Sequence, residues 1–205
     1  MPSLWNPHFK LVLASKSAAR RHLLESAGLP FETDAAGIDE RAIEAAFFEG
    51  GGEAEQLAAE LARAKALRAS ERHGGALCLG ADQVLALAGQ LLHKPSAIED
   101  AASQLMKLSG RAHRLISAFA IAKDGHILHS DEDRAEMTMR WLDEAKIANY
   151  LRAAGHVALS SVGGYQIEGL GVHLFERVEG DHTTIMGLPM FKLLARLRET
   201  GAVTL

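Results

Sequence analysis

Residues 11–24 read LVLASKSAARRHLL. An apolar run passes through two serines into a segment of helical composition that begins with two arginines. Residues 10–14 read as a buried strand and 17–27 as a helix, closed by Gly28 and Pro30, a pair a helix does not readily continue through. Strand followed at once by helix is the unit from which α/β sheets are built. The turn between them leaves backbone N–H groups unpaired at the positive end of a helix dipole, which makes an anion site. Ser15 and Ser17 add hydroxyl donors, and Arg20 and Arg21 add planar, charge-assisted bonds. The dipole supplies about 0.3–1 kcal/mol and a charge-assisted hydrogen bond roughly 1.5–3 kcal/mol, so the arginines dominate affinity and the turn dominates placement. The plainer reading makes Ser17 an N-cap and leaves both arginines solvated. Against it, Lys16, Arg20 and Arg21 all oppose the dipole, and a bound anion would offset that cost.

Outward from this stretch, helices and strands interleave. FETDAA (31–36) reads as a strand, and a long helix follows the GGG breaker from about Glu53 to His73. ALCLGADQVLALAG (76–89) reads as strand, interruption, strand. After Pro95 a helix carries Ile98, Ala101, Ala102, Leu105 and Leu108 on one stripe and stops at Gly110. RLISAFAIA and HILHS flank Asp124-Gly125, a hairpin signal. AEMTMRW alternates as a half-exposed strand should, DEAKIANYLRAAG is helical, VGGYQIEGLG is a glycine-rich loop and VHLFERVEG is strand-like. The last helix runs from about Met190 to Glu199. The expected fold is α/β, a mixed central sheet flanked by helices, with residues 1–205 forming a single domain in which any two lobes are a division of one fold.

Composition excludes several classes. With net charge -4 the chain lacks the electrostatic footprint of a nucleic-acid binder, and any anion site must be local. Cys78 is the lone cysteine, so no intrachain disulfide forms, which fits a reducing compartment. No apolar run approaches the ~18 residues of a membrane span, and MPSLWNPHFK lacks an apolar signal core. The expectation is a cytoplasmic protein with no membrane or nucleic-acid partner.

Three further stretches repeat the chemistry of the first. GADQV puts Asp82 at the end of a buried strand run, a frequent place for a catalytic carboxylate. HKP supplies Lys94 before a turn proline, and LARAKA puts Lys65 on the apolar side of its helix. Each has a plain reading: a turn cap, a solvated lysine, a snorkelling lysine. Together they form the kit for a polyphosphate with a metal or an attacking water. The HILH pair would point His126 and His129 to opposite strand faces, which disfavours a shared metal. The GxG at Gly169 and Gly171 lacks the helix a dinucleotide site needs.

The ordered set LASKSAARR, IDE (38–40), ELARAKA, GADQV, HKP, LSGRAHRLISAFA, GGYQIEGLG and GLP (187–189) resembles the Maf family of nucleoside triphosphate pyrophosphatases over nearly the whole chain. The resemblance implies a fold with a deep cleft, similar to the inosine-triphosphate pyrophosphatase (Maf/Ham1) fold. It implies cleavage of a nucleoside triphosphate between its α- and β-phosphates, a house-cleaning hydrolase in nucleotide metabolism. It also implies a divalent metal (Mg²⁺ or Mn²⁺), a cytoplasmic enzyme and a homodimer. By motif, Asp82 is the general base. Ser15, Ser17, Arg20, Arg21, Lys65 and Lys94 hold the triphosphate, and Glu40 with Asp82 holds metal. Gln83, Glu168 and LFERVEG resemble the 7-methyl-GTP subgroup. Ala19 stands where arginine or tryptophan separates subgroups, Ala18 replaces the family's proline, and Ser160-Ser161 stand where many members have Asp-Lys. Glu168 is suited to accept hydrogen bonds from guanine. The rival reading is a nucleotide-binding regulator of cell division or stress that does not hydrolyse, supported by the alanines at 18 and 19 and by the family's historical link to septum formation.

Overall fold

The computed structural model describes residues 4–205; Met1–Ser3, the start of the stretch without a signal core, lie outside the described residues. Strands are β1 (Leu11–Leu13), β2 (Glu32–Thr33), β3 (Leu77–Leu87), β4 (Gln90–Leu92), β5 (Ala112–Lys123), β6 (His126–Met139) and β7 (Phe175–Glu179). Helices are α1 (Ala18–Ser26), α2 (Glu40–Glu49), α3 (Leu57–Ser70), α4 (Ile98–Leu108), α5 (Glu144–Ala154), α6 (His182–Ile185) and α7 (Met190–Glu199). The seven strands form one mixed sheet in the order β2-β1-β3-β5-β6-β7, with β4 paired to β3. β1 lies parallel to β2 and β3, while β4 and β7 are antiparallel to their partners. Asp124 and Gly125 (φ 49° and 79°) make the tight turn between β5 and β6, a backbone that aspartate and glycine tolerate best. No helix among the described residues is long and apolar enough to cross a membrane.

The chain forms two compact units. The first takes the chain up to Gln83, Ser117–Asp133 and Gly187–Leu205. Its β1 is buried along its whole length, and Val12, Ala14, Ala36, Ala69 and Cys78 pack together. Asp34, just past β2, accepts hydrogen bonds from Arg72 Nε at 2.9 Å and His73 Nε2 at 2.8 Å. Those bonds, His73's first, hold its carboxyl below the usual aspartate range. Arg72 also donates to the carbonyls of Ala35 and Ala36, so the segment leading toward α2 is clamped to the end of α3.

The second unit takes Val84–Ile116 and Arg134–Met186. Leu105 and Leu108 of α4, Ile147 and Leu151 of α5, and Met137 and Met139 of β6 form its apolar core. His113 sits in that core, 2% exposed, its Nε2 sharing a 2.6 Å hydrogen bond with the Tyr165 hydroxyl. Burial pushes this imidazole down to about 4. The unfolded chain takes up that proton near pH ~6.5, so acidification favours unfolding through the interval between the two values and adds nothing below it. Thermal melts should therefore fall as pH drops from about 6.5 toward about 4. His113→Gln, which keeps a partner for Tyr165 without titrating, should show a shallower fall over that interval.

Several elements differ from expectation. β3 runs unbroken through GADQV instead of being interrupted there, because Gly80 lets α3 lie directly against it and the chain reverses only at Ala88-Gly89. α2 is a helix that the periodicity did not signal, since none of its residues is buried. HILHS and AEMTM belong to one strand, β6. FETDAA shrinks to two paired residues, and VHL (172–174) is a 3₁₀ turn before β7. Trp141 falls outside the alternating strand and is 69% exposed, with Lys146 Nζ 4.7 Å from its ring centroid.

Candidate active site

The end of β1 is pinned to β3 by Ala14 N–H donating to the Leu79 carbonyl at 2.8 Å. The chain then turns into α1 with Ser17 as N-cap, its hydroxyl accepting from Arg20 N–H at 3.4 Å. Ser17 N–H donates to Ser15 Oγ at 3.2 Å. Both serines thus shape the turn.

The two arginines behave oppositely. Arg20 is buried, 8% exposed. Its Nε donates to the Gly187 carbonyl at 2.8 Å, and its Nη1 to the Ala81 carbonyl at 2.9 Å and to Ser15 Oγ at 3.1 Å. Gly187 holds φ 100°, a conformation that favours glycine, and so presents its carbonyl to Arg20. Burial pulls the guanidinium below the ordinary arginine value, and the carboxylates of Asp82 and Glu40 work against that pull. Arg20 is thus held in place by two of the protein's own carbonyls and by Ser15. Arg21 is exposed and lines a separate concavity of about 600 Å³ with Glu25, Phe31 and Glu32 among its walls.

Next to Ala81, Asp82 is held on the other side by α3. Ala58, Ala62, Ala66 and Ala69 line the buried side of this helix, and Gly80 removes the last obstacle to close approach. That approach brings Lys65 Nζ to 2.5 Å from Asp82 Oδ1. Glu40, the first residue of α2, reaches the same Nζ at 2.8 Å. The side chains of Lys65 and Asp82 are 10% and 13% exposed and that of Glu40 is 54% exposed, so the cluster is reached by solvent from the Glu40 side. Beside it, Gln83 Nε2 donates to Ser117 Oγ at 2.9 Å, which fixes the orientation of its amide.

Ser15, Ser17, Arg20, Lys65, Asp82 and Glu40 thus form one connected set in the first unit. Ala19 is half-buried on α1 and Ala18 exposed. Lys94, just past β4, and Glu168, in the glycine-rich loop, are both exposed residues of the second unit. The carbonyls of Ala81 and Gly187 and the hydroxyl of Ser117 are participants that residue type alone did not flag; GADQV, GLP and LISAFA carry them.

Among the described residues no group of three or more histidine, cysteine or acidic side chains is placed to hold a metal ion. Asp82 and Glu40 nonetheless converge on a single ammonium. A hard divalent cation is commonly held by one or two carboxylates, with phosphate oxygens and water completing its shell, and this pair fits that pattern.

The family profile described as Maf-like protein matches residues 10–200. The chain is 50% identical to the 7-methyl-GTP pyrophosphatase of Brucella abortus, over 95% of this chain and 98% of that protein. It is 50% identical to the nucleoside triphosphate pyrophosphatase of Rhodopseudomonas palustris, over 96% of each. A solved nucleoside-triphosphatase / dITP/XTP pyrophosphatase from Mycobacterium abscessus is 16% identical, with TM-score 0.43, covering 94% of this chain and 95% of that one. A match across residues 10–200, with half the residues shared along almost the full length of both relatives, places this chain in the Maf family.

Proposed function

We propose that this chain hydrolyses nucleoside triphosphates to nucleoside monophosphate and pyrophosphate, with 7-methyl-GTP among its substrates. The observation that carries the chemistry is the partly buried Asp82, paired with Lys65 and next to Ala81, whose carbonyl is tied to Arg20. Water attacks the α-phosphorus, the bond to the bridging β-phosphate oxygen breaks, and pyrophosphate leaves. Asp82 accepts the proton that the attacking water loses. Lys65, Arg21, Lys94 and the N-terminal amides of α1 bear the phosphate charge, with Ser15 and Ser17 shaping the turn that presents them. Arg20 belongs to the same phosphate-binding set, fixed in place by its bonds to Ser15, the Ala81 carbonyl beside Asp82 and the Gly187 carbonyl. Asp82 and Glu40 would hold Mg²⁺ or Mn²⁺, which supplies charge neutralisation on the phosphates. Gln83, Glu168 and Ala19 are assigned to base recognition; the 7-methyl-GTP preference draws on the relatives' activity and on these residues. A cytoplasmic homodimer belongs to the same reading and rests on family relationship.

Incubation with 7-methyl-GTP, GTP, dTTP and UTP in Mg²⁺ or Mn²⁺ tests it. Monophosphate and pyrophosphate should appear in equal amounts over many turnovers. Diphosphate with orthophosphate would overturn the bond assignment, and tight binding with no product over hours would favour the regulator.

A further inference from the structure

Two cations in the site are held in different ways. Arg20 is tied to two backbone carbonyls and a serine hydroxyl, so it cannot leave without breaking the turn. Among the described residues Lys65 Nζ bonds only to the carboxylates of Asp82 and Glu40, and its stem is a flexible chain that can swing. Lys65 occupies one oxygen of each carboxylate, Glu40 Oε1 and Asp82 Oδ1, and so lies where a divalent cation bridging those two oxygens would sit. A metal bound at about 2.0–2.1 Å from such oxygens leaves no room for an ammonium between them. The set is also charge-balanced as it stands, with Arg20 and Lys65 facing Asp82 and Glu40. Inserting a divalent ion without moving Lys65 would add uncompensated positive charge beside the largely buried Asp82.

We propose that Lys65 is a displaceable counter-ion. In the free protein its ammonium holds the place of the divalent cation, and it gives that place up when phosphate oxygens arrive to receive it. This deepens the pyrophosphatase reading and rests on it for the identity of the incoming anion. Metal then enters with the nucleotide rather than before it. The free protein should bind divalent metal weakly although two carboxylates are in place.

The experiment is a titration of nucleotide-free protein with Mn²⁺, read by the loss of the free-ion paramagnetic resonance signal and by calorimetry. Lys65→Met keeps the stem and removes the charge. It should bind Mn²⁺ about tenfold or more tightly than wild type, the factor expected from removing a charge-assisted competitor. Lys65→Arg, which keeps a cation beside both carboxylates, should show no gain, and Lys65→Met/Asp82→Asn should lose it. Should the methionine variant not fold, by circular dichroism, Lys65→Gln supplies the same measurement. A folded variant lacking the charge that binds Mn²⁺ no more tightly than wild type overturns the proposal, as does a gain that survives Asp82→Asn. The two readings separate cleanly. A gain in Mn²⁺ affinity with no pyrophosphate released by wild type leaves displacement standing and removes the catalytic reading. Pyrophosphate release with no gain does the reverse.

Discussion

Asp82→Asn should lower turnover by about 10²–10⁴-fold, the range a positioned general base contributes, while nucleotide binding persists. Asparagine keeps the shape and one carbonyl oxygen but cannot take a proton from water. It also loosens one of the two contacts that hold Lys65, leaving Glu40 at 2.8 Å. The ammonium is then freer to meet phosphate, so affinity for a non-hydrolysable triphosphate, measured without divalent metal, should hold or rise. The substitution has a structural cost as well, because Lys65 is largely buried and loses its shorter partner. Three readouts keep these effects apart: kcat from pyrophosphate release, Kd by calorimetry with the non-hydrolysable analogue, and a thermal melt. A fall in kcat with Kd preserved and a folded protein is the expected pattern. Unchanged turnover would remove Asp82 from the role of base, and loss of binding in a folded variant would make it a binding residue instead.

What the sequence made readable follows from where apolar contrast exists. β1 and α1 stand out because an apolar run meets serines and arginines. α4 and α7 stand out because their buried residues recur at helical spacing, and α7 has the expected ends, Met190–Glu199. α2 has no buried residue, so it offered no periodic signal; only Asp39, which caps it by accepting from Ala42 N–H, marks its start. The arginine pair shows a different limit. Neighbouring residues on a helix point about 100° apart, so Arg20 and Arg21 could not share one direction. Which one faces inward was decided by carbonyls at Ala81 and Gly187, far along the chain. The same holds for Asp34, whose partners Arg72 and His73 come from the turn just past α3. Side-chain type announced a phosphate-binding kit, but the division into fixed and displaceable cations depends on contacts that no local pattern encodes.

Gly80→Ala should be the most damaging small substitution in the first unit, and the reason joins the fold to the site. A Cβ at Gly80 would lie 2.1 Å from the Ala62 carbonyl oxygen and 2.5 Å from the Ala66 amide nitrogen. Both are backbone atoms of α3, so no rotamer change relieves the clash and the helix itself must move. Overpacking of this kind costs about 3 kcal/mol or more, which for a chain of this size lowers Tm by roughly 6–12 °C. A helix pushed off β3 also carries Lys65 away from Asp82, two residues beyond the glycine, so turnover should fall even at temperatures where the variant stays folded. Gly74→Ala is the matching control. Its added methyl would meet nothing closer than 4.0 Å, and its effect should stay within about 1 kcal/mol. A Gly80→Ala protein that melts with wild type would mean α3 and β3 are farther apart than described, and the pairing of Lys65 with Asp82 would lose its structural basis. A variant that melts early yet keeps full turnover would separate the packing from the chemistry and show that Lys65 reaches its position without the close approach of α3 to β3.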